Sequence, residues 1–327
     1  MAEALVLEEP RTLVHRELAL PEIGDDGLLR VEACLLCGTD HELYTDAIAP
    51  GFGFVPGHEA SRPWRPGAVR AGEFLHGEPT GDGEWSFAIG RERHGAFGGA
   101  FGGLVAACCV HAARSLAPGR RPEALDARFL RGLPAGDARV ACTSIHEGKS
   151  LSCVSVDVID QRGRLATRAT VSLVSSDVLD PLDHDGASGD PPAITPYGDG
   201  VAWRNPPGVE VPIITTFSPR ATARGGRGIG TSIPVPWNEP GNDAEAACLA
   251  ADFCVGPPVA GAFPDTWIPH PNPDLSVRFT GAPVADVVTG IGRLEGIDAG
   301  LASVRVEVWS VGRLVAIGVS SSLLLRT

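Results

Sequence analysis

Three groups of side chains in this sequence have the chemistry to act on a small molecule. Cys37, in CLLCGTD, and His58, in VPGHEA, offer the thiolate and imidazole that zinc takes, and Glu59 stands beside them to ligate or support. A catalytic zinc takes three protein ligands and keeps a fourth position open. Here the third would have to come from Glu59 or His41, the set is incomplete, and no metal is assigned. The second group is Asp252, in LAADFCV. An unpaired carboxylate among Ala250, Ala251, Phe253 and Cys254 would be costly, so this residue is either a buried functional acid or a capped one turned to solvent. The third is His94, ahead of the glycine-rich run GAFGGAFGG, with His146 in the turn HEGKS. Both can exchange protons near neutral pH, and neither outranks Asp252.

Two familiar constellations are absent. No G-x-S-x-G elbow occurs, which argues against a serine hydrolase of the α/β type. No strict G-x-G-x-x-G occurs either; the nearest stretches, GGRGIG at 225–230 and GIGRLEG at 290–296, do not open a helix after an apolar strand. No cofactor is expected.

Composition narrows the partners. The chain has 327 residues, 43% hydrophobic and 20% charged, which is ordinary globular composition and room for two domains. A net charge of −13 disfavours nucleic acid and anionic membranes. No apolar run is long enough to cross a membrane, and the first residues lack a basic then apolar leader, so a cytoplasmic protein is expected. Eight cysteines are too few for a disulfide scaffold, and Cys108, Cys109, Cys153, Cys248 and Cys254 lie in apolar runs where thiols act as core residues.

The elements that must position these groups recur. A glycine-rich entry leads into a helix over roughly 99–116, apolar on all sides and ended by Pro118-Gly119, so it should be enclosed. Strands follow: Val154, Val156 and Val158 alternate with polar residues, and Leu165, Thr167, Ala169, Val171 and Leu173 form a second period-two face beyond the turn at Arg162-Gly163. The order returns in DAEAACLAADFCV and the strands after it. ArgPhe recurs at 128–129 and 278–279, and GlyArgLeu at 163–165 and 312–314, an offset of about 150 residues that marks a duplicated domain. The Asp-, Gly- and Pro-rich stretch between the copies reads as a solvated linker. The expected organisation is a fragment over 1–60, a Pro- and Arg-rich linker over 61–79, a first domain over 80–175, a linker over 176–199 and a second domain over 200–327.

Two resemblances attach to these residues. Over ALVLEEPRTLVHRELALPEIGDDGLLRVEACLLCGTDHELY and FGFVPGHEA the chain resembles the GroES-like start of the medium-chain zinc alcohol dehydrogenases, with Cys37, His58 and Glu59 on that family's catalytic-zinc positions. After Ala60 this likeness stops, without the third ligand or a nucleotide-binding unit. Residues 80–327 resemble the type II acyl-CoA thioesterases, through FGGAFGGLVAA, DARFLRGLPAGD and SIHEGKSLSCVSVDVIDQRGRLATRATVSL, then AACLAADFCVGPP, NPDLSVRFTGAP and ASVRVEVWSVGRLVAIGVSSSLL. The second resemblance implies an α+β fold, a double hot-dog of two antiparallel sheets each wrapped around a buried helix, here preceded by a short β-rich dehydrogenase-like fragment. It implies hydrolysis of an acyl-CoA or acyl-carrier thioester, with a homo-oligomer of double hot-dogs as the assembly. Asp252 falls on the family's water-orienting aspartate, Asn272 where a hydroxyl residue is usual, and Ser320 where glutamine is usual. Asn272 between prolines and Ser320 on a strand also fit purely structural roles, and His270 and Asp274 stand close enough to substitute. Gly98, Gly99, Gly102 and Gly103 would let a substrate reach the free N–H groups of the helix start, or would serve close packing; His94 lies near the same entrance. Arg91, Arg93 and Arg114 are candidates for the phosphates of CoA, or else solvated surface charge. The rival functions are an acyl-thioester binding protein that does not hydrolyse, and a zinc-dependent dehydrogenase-like protein.

Overall fold

The computed structural model describes residues 2–9, 12–18, 34–35, 59–60, 70–179, 191–206, 208–225, 228–237, 241–264 and 266–326. The chain divides into two units, 1–69 and 70–327. In the first, β1 (Ala2–Glu9) and β2 (Thr12–Leu18) form an antiparallel hairpin, and β3 (Cys34–Leu35) pairs antiparallel with β4 (Glu59–Ala60).

The second unit opens with α1 (Ala71–Leu75), β5 (Gly77–Gly81) and β6 (Glu84–Ile89), then the enclosed helix α2 (Gly102–Ala113) and β7 (Arg120–Phe129), β8 (Gly136–Glu147), β9 (Leu151–Ile159) and β10 (Leu165–Ser175). After it come β11 (Val201–Ala202), α3 (Ile213–Phe217), β12 (Arg220–Gly225) and β13 (Gly228–Pro234). They lead to the second enclosed helix α4 (Asp243–Phe253), a short α5 (Gly256–Gly261), and β14 (Asp274–Phe279), β15 (Val287–Asp298), β16 (Leu301–Ser310) and β17 (Arg313–Leu323).

The two halves share one topology. In the first, the sheet order is β5-β6-β8-β9-β10-β7; in the second it is β12-β13-β15-β16-β17-β14, with the last strand in each case slotted beside the first strand after the helix. Alternation drives this: Ser152, Val154, Val156 and Val158 of β9 all turn inward, as do Thr167, Ala169, Val171 and Leu173 of β10. The turn joining them is held by Asp160, whose carboxylate accepts from the N–H groups of Arg162 and Arg164, while Gly163 takes φ +75°. On α2 the side chains of Leu104, Val105, Cys109 and Val110 are all buried, and on α4 those of Ala247, Cys248, Leu249 and Ala251. Enclosing a leucine such as Leu104 or Leu249 contributes about 1.5–3 kcal/mol each.

Two expectations change. The sheets are not separate: β7 and β14, each the edge of its half, pair antiparallel and make one thirteen-stranded sheet, because unpaired N–H and C=O groups on the two edges satisfy each other. Ser276 stands opposite Asp126, so two residues 150 apart face each other at the join, and the sequence repeat marks the local twofold axis. Ion pairs Arg128–Asp274 and Arg278–Asp126 flank it; both arginines are about half exposed or more, so the pairs set register more than stability. Residues 70–79, expected in a linker, instead form α1 and β5, since Ala71 and Leu75 are apolar enough to join the core. Residues 180–190, in the second expected linker, lie outside the described residues.

The enclosed first helix is shorter than expected, Gly102–Ala113 followed by a single tighter turn at Arg114–Leu116. Residues 99–101 lead in without being helical. Among the described residues, Cys108, Cys109, Cys142, Cys153, Cys248 and Cys254 are free thiols, and Cys153 is only partly buried. Burial pushes the Cys108 thiol up to about 12, which leaves it an inert core group.

Candidate active site

Helices α2 and α4 pack antiparallel, so the first turn of α2 meets the last turn of α4. Asp252, the tenth residue of the eleven in α4, is 7% exposed and faces that contact. Its Oδ2 accepts from the backbone N–H of Gly103 at 2.7 Å, and its Oδ1 from the side-chain amide of Asn272 at 2.7 Å. Each oxygen keeps a lone pair for another donor. Desolvation pushes the carboxyl up to about 6, against the pull of the Gly103 N–H and the Asn272 amide, which favour the charged form.

The glycines explain how the carboxylate comes so close. A Cβ on Gly103 would lie 2.8 Å from both Asp252 Cβ and the carbonyl oxygen of Cys248, so no side chain fits there. Gly99 is packed on Gly132, where an added Cβ would lie 2.7 Å from Cα. The N–H of Gly102, first residue of α2, has no partner among the described residues, and it sits at the positive end of the helix dipole.

Asp252 opens onto a cavity of about 810 Å³. Gly99, Gly102 and Asn272 line it with the carboxylate; the walls are apolar, from Phe97, Phe101, Phe129, Trp203 and Trp267. A long, mostly apolar slot with a few polar groups at one place is what binds an extended apolar molecule by a polar handle. The exposed guanidinium-bearing residues Arg131 and Arg204 also stand on the lining.

The expected site residues separate. Asp252, Asn272, Gly102 and Gly103 come together. Ser320 does not: it is buried on β17, donates to the backbone carbonyl oxygen of Asp274 at 2.6 Å, and is no part of the cavity wall. Asp274 is engaged with Arg128 and with the N–H of Ser321, outside the cavity. His94 stands just before the lining, its ring Nε2 buried without a partner and its pKa lowered by burial. Gly98 takes φ +74° in the loop ahead of the helix. His270 does line the cavity, with Nδ1 2.6 Å from the carbonyl oxygen of Ile268, and burial lowers its pKa. Arg93, expected near phosphates, is 4% exposed and lies over the ring of Phe74; Arg114 is at the opposite end of the helix pair. Sequence reasoning missed the wall built by Trp203 and Val211, from an irregular segment, and by Ile213, which opens the five-residue helix α3, too short to show a period. Cys37, His41 and His58 lie outside the described residues; Glu59 stands in β4 opposite Leu35.

The Asn272 contact makes a direct prediction. Asn272→Ala removes a hydrogen bond that favours the charged carboxylate, so the Asp252 pKa should rise above about 6. A bond to a charged group is worth roughly 1.5–3 kcal/mol, so the titration midpoint of Asp252, followed by carboxyl-carbon NMR, should move up by about one to two pH units.

Comparison with known proteins adds likenesses to this geometry. Residues 91–174 match the model of the acyl-CoA thioesterase N-terminal domain. The chain is similar to the acyl-CoA thioesterase II TesB2 of Mycobacterium marinum, at 16% identity and a TM-score of 0.62, over 78% of this chain and 98% of that one. It is similar also to a conserved protein of unknown function with hot dog fold from Alicyclobacillus acidocaldarius, at 19% identity and a TM-score of 0.64, over 79% and 99%. These likenesses show a hot-dog fold. The N-terminal stretch is 67% identical over 60 residues to a Mycobacterium tuberculosis protein named "Probable alcohol dehydrogenase adh", covering 18% of this chain and 16% of that one. The chain thus spans about a sixth of the length of that curated relative. Residues 91–174 thus match an acyl-CoA thioesterase N-terminal domain, within a unit of hot-dog fold and behind a short stretch similar to an alcohol dehydrogenase.

Proposed function

We infer that this protein is an acyl-CoA thioesterase built as a double hot-dog, which hydrolyses an acyl thioester to the free acid and thiol. The observation that carries this reading is the buried carboxylate of Asp252, raised to about 6 and held between Gly103 and Asn272 at one end of an apolar cavity of about 810 Å³. In the proposed complex the acyl chain fills the aromatic walls and the thioester carbonyl points at the Gly102 N–H, which stabilises the developing oxyanion. Asp252 takes a proton from a water as its oxygen attacks the carbonyl carbon. The tetrahedral intermediate then collapses, the carbon–sulfur bond breaks, and the proton passes to the thiolate. Arg131 and Arg204, at the cavity wall, are placed to meet the phosphates of CoA.

Activity in this scheme needs the charged carboxylate. Protonation below the raised pKa removes the base, so kcat/KM for thiol release should rise with pH through about 6 and level off above it. A profile flat from pH 5 to 8 would show that another group acts.

One observation favours a second reading. Because Ser320 is turned away, Asp252 has Asn272 as its single side-chain partner among the described residues. A protein that retains the acyl slot and has lost hydrolysis would show saturable acyl-CoA binding without thiol release.

A further inference from the structure

The local twofold axis predicts a second cavity at the other end of the helix pair, and one is there, about 370 Å³ in volume. Setting the first residue of α2, Gly102, on the first of α4, Asp243, and residues 150 apart on the strands, the walls correspond. Phe279 stands for Phe129, Gly281 for Arg131, and Pro122 for Asn272.

The chemistry has been inverted. The counterpart of Asp252 is His111, which turns from the cavity toward Glu245, at 3.6 Å, and the ring of Trp85. Pro122 brings no amide. No carboxylate there is placed to act as Asp252 does. In exchange, three positions that are Val255, His270 and Pro271 in the first cavity are Arg114, Arg120 and Arg121 in the second.

The charge of these arginines is only partly met. Arg114 pairs with the fully buried Glu245, and the carboxylate of Asp243 accepts from the N–H of Val284. Arg120 is held by backbone carbonyl oxygens, those of Gly148 at 2.6 Å and Lys149 at 3.4 Å, and its Nη1 is buried with no partner. The side chain of Arg121, an exposed residue, has neither a hydrogen bond nor an ion pair among the described residues. Its guanidinium lies over Gly281, where an added Cβ would be 2.8 Å from Nη1. The first residue of α4, Asp243, puts a carboxylate on the same wall, and with Glu245 in the same turn it offsets the positive end of the helix, so Arg120 and Arg121 are the cations left to meet a ligand.

We propose that this second cavity is a binding site for a phosphate-bearing anion, made from the degenerate twin of the first. The planar guanidinium groups of Arg120 and Arg121, which lack carboxylate partners among the described residues, at the mouth of a pocket, select phosphoryl oxygens. The site is separate from the Asp252 cavity: Ala244 and Asp252 are eight residues apart on one helix, roughly 12 Å. It holds whether or not the first cavity hydrolyses a thioester.

The test is calorimetric titration of the full chain with inorganic pyrophosphate, at ionic strength held constant with sodium chloride, beside the Arg121→Ala and Arg120→Gln variants. Saturable binding, weakened about tenfold or more in each variant while Asp252→Asn binds as the unaltered chain does, is the expected result. Coenzyme A forms a second arm. Tighter binding of coenzyme A that also depends on Arg121 assigns the phosphates to that carrier, and equal binding assigns them to free phosphate. No saturable pyrophosphate binding, or binding untouched by both arginine substitutions, would overturn the site. Circular dichroism of the variants separates loss of binding from loss of fold.

Discussion

Asp252→Asn should reduce thiol release from an acyl-CoA by roughly 10²–10⁴-fold, the range for loss of a general base, while leaving the fold intact. The substitution preserves shape. Its one carbonyl oxygen can still accept from the Gly103 N–H, and the Asn272 amide, which has an oxygen as well as a nitrogen, can turn to accept from the new NH₂. The charge alone is lost. Because the native carboxyl is raised to about 6 by burial, removing it also removes a group whose ionisation opposes folding. The sign follows from linkage: an aspartate with a folded pKa above its unfolded one costs stability above that pKa, and the cost vanishes as pH falls below the unfolded value. The variant should therefore melt no lower than the unaltered protein at pH 8. Acyl-CoA binding by the inactive variant, measured by calorimetry, checks that the slot is still formed.

Gly103→Ala should lower both stability and activity. Alanine ordinarily favours a helix over glycine by up to about 1 kcal/mol. Here the added Cβ would meet Asp252 Cβ and the Cys248 carbonyl oxygen at 2.8 Å and Phe101 Cε1 at 2.9 Å. Two of those are atoms that cannot swing aside, so the helices must part. Overpacking of this kind costs about 1–3 kcal/mol, which outweighs the helix gain, and each kcal/mol lowers the melting temperature by roughly 2–4 °C in a unit of this size. Parting the helices also breaks the 2.7 Å bond from Gly103 N–H to Asp252, so turnover should fall with stability. A variant that melts as the native protein does and turns over normally would show that the close approach of α2 and α4 is not what holds the carboxylate.

Much of this was legible in the sequence, for physical reasons that differ by residue. Asp252 stands out because a carboxylate among apolar neighbours in a helix must either be paired or be used, and here it is paired on both oxygens. The ArgPhe repeat located the twofold axis because repeat-related antiparallel strands joined edge to edge place one repeat-related pair, Asp126 and Ser276, opposite each other. Asn272 was reachable only through resemblance, since an Asn between two prolines reads locally as a turn residue. Ser320 misled because strand alternation says which face a residue takes and not what it meets there; it faces inward and finds the Asp274 carbonyl oxygen. The separate-sheet expectation failed for a related reason, as nothing in either strand pattern announces that β7 and β14 will pair. The wall from Trp203 to Ile213 was invisible because an irregular segment, or a helix of five residues, carries no period, and its burial comes from tertiary contact alone.

The measurement that bears most directly on this account is free-thiol release by the 327-residue chain at pH 8 from short, medium and long acyl-CoAs. The account predicts turnover that favours chains able to fill the apolar cavity and that disappears in Asp252→Asn. Saturable binding across the panel with no thiol released from any of them would contradict it, and would make the Asp252 cavity an acyl-binding slot without hydrolysis.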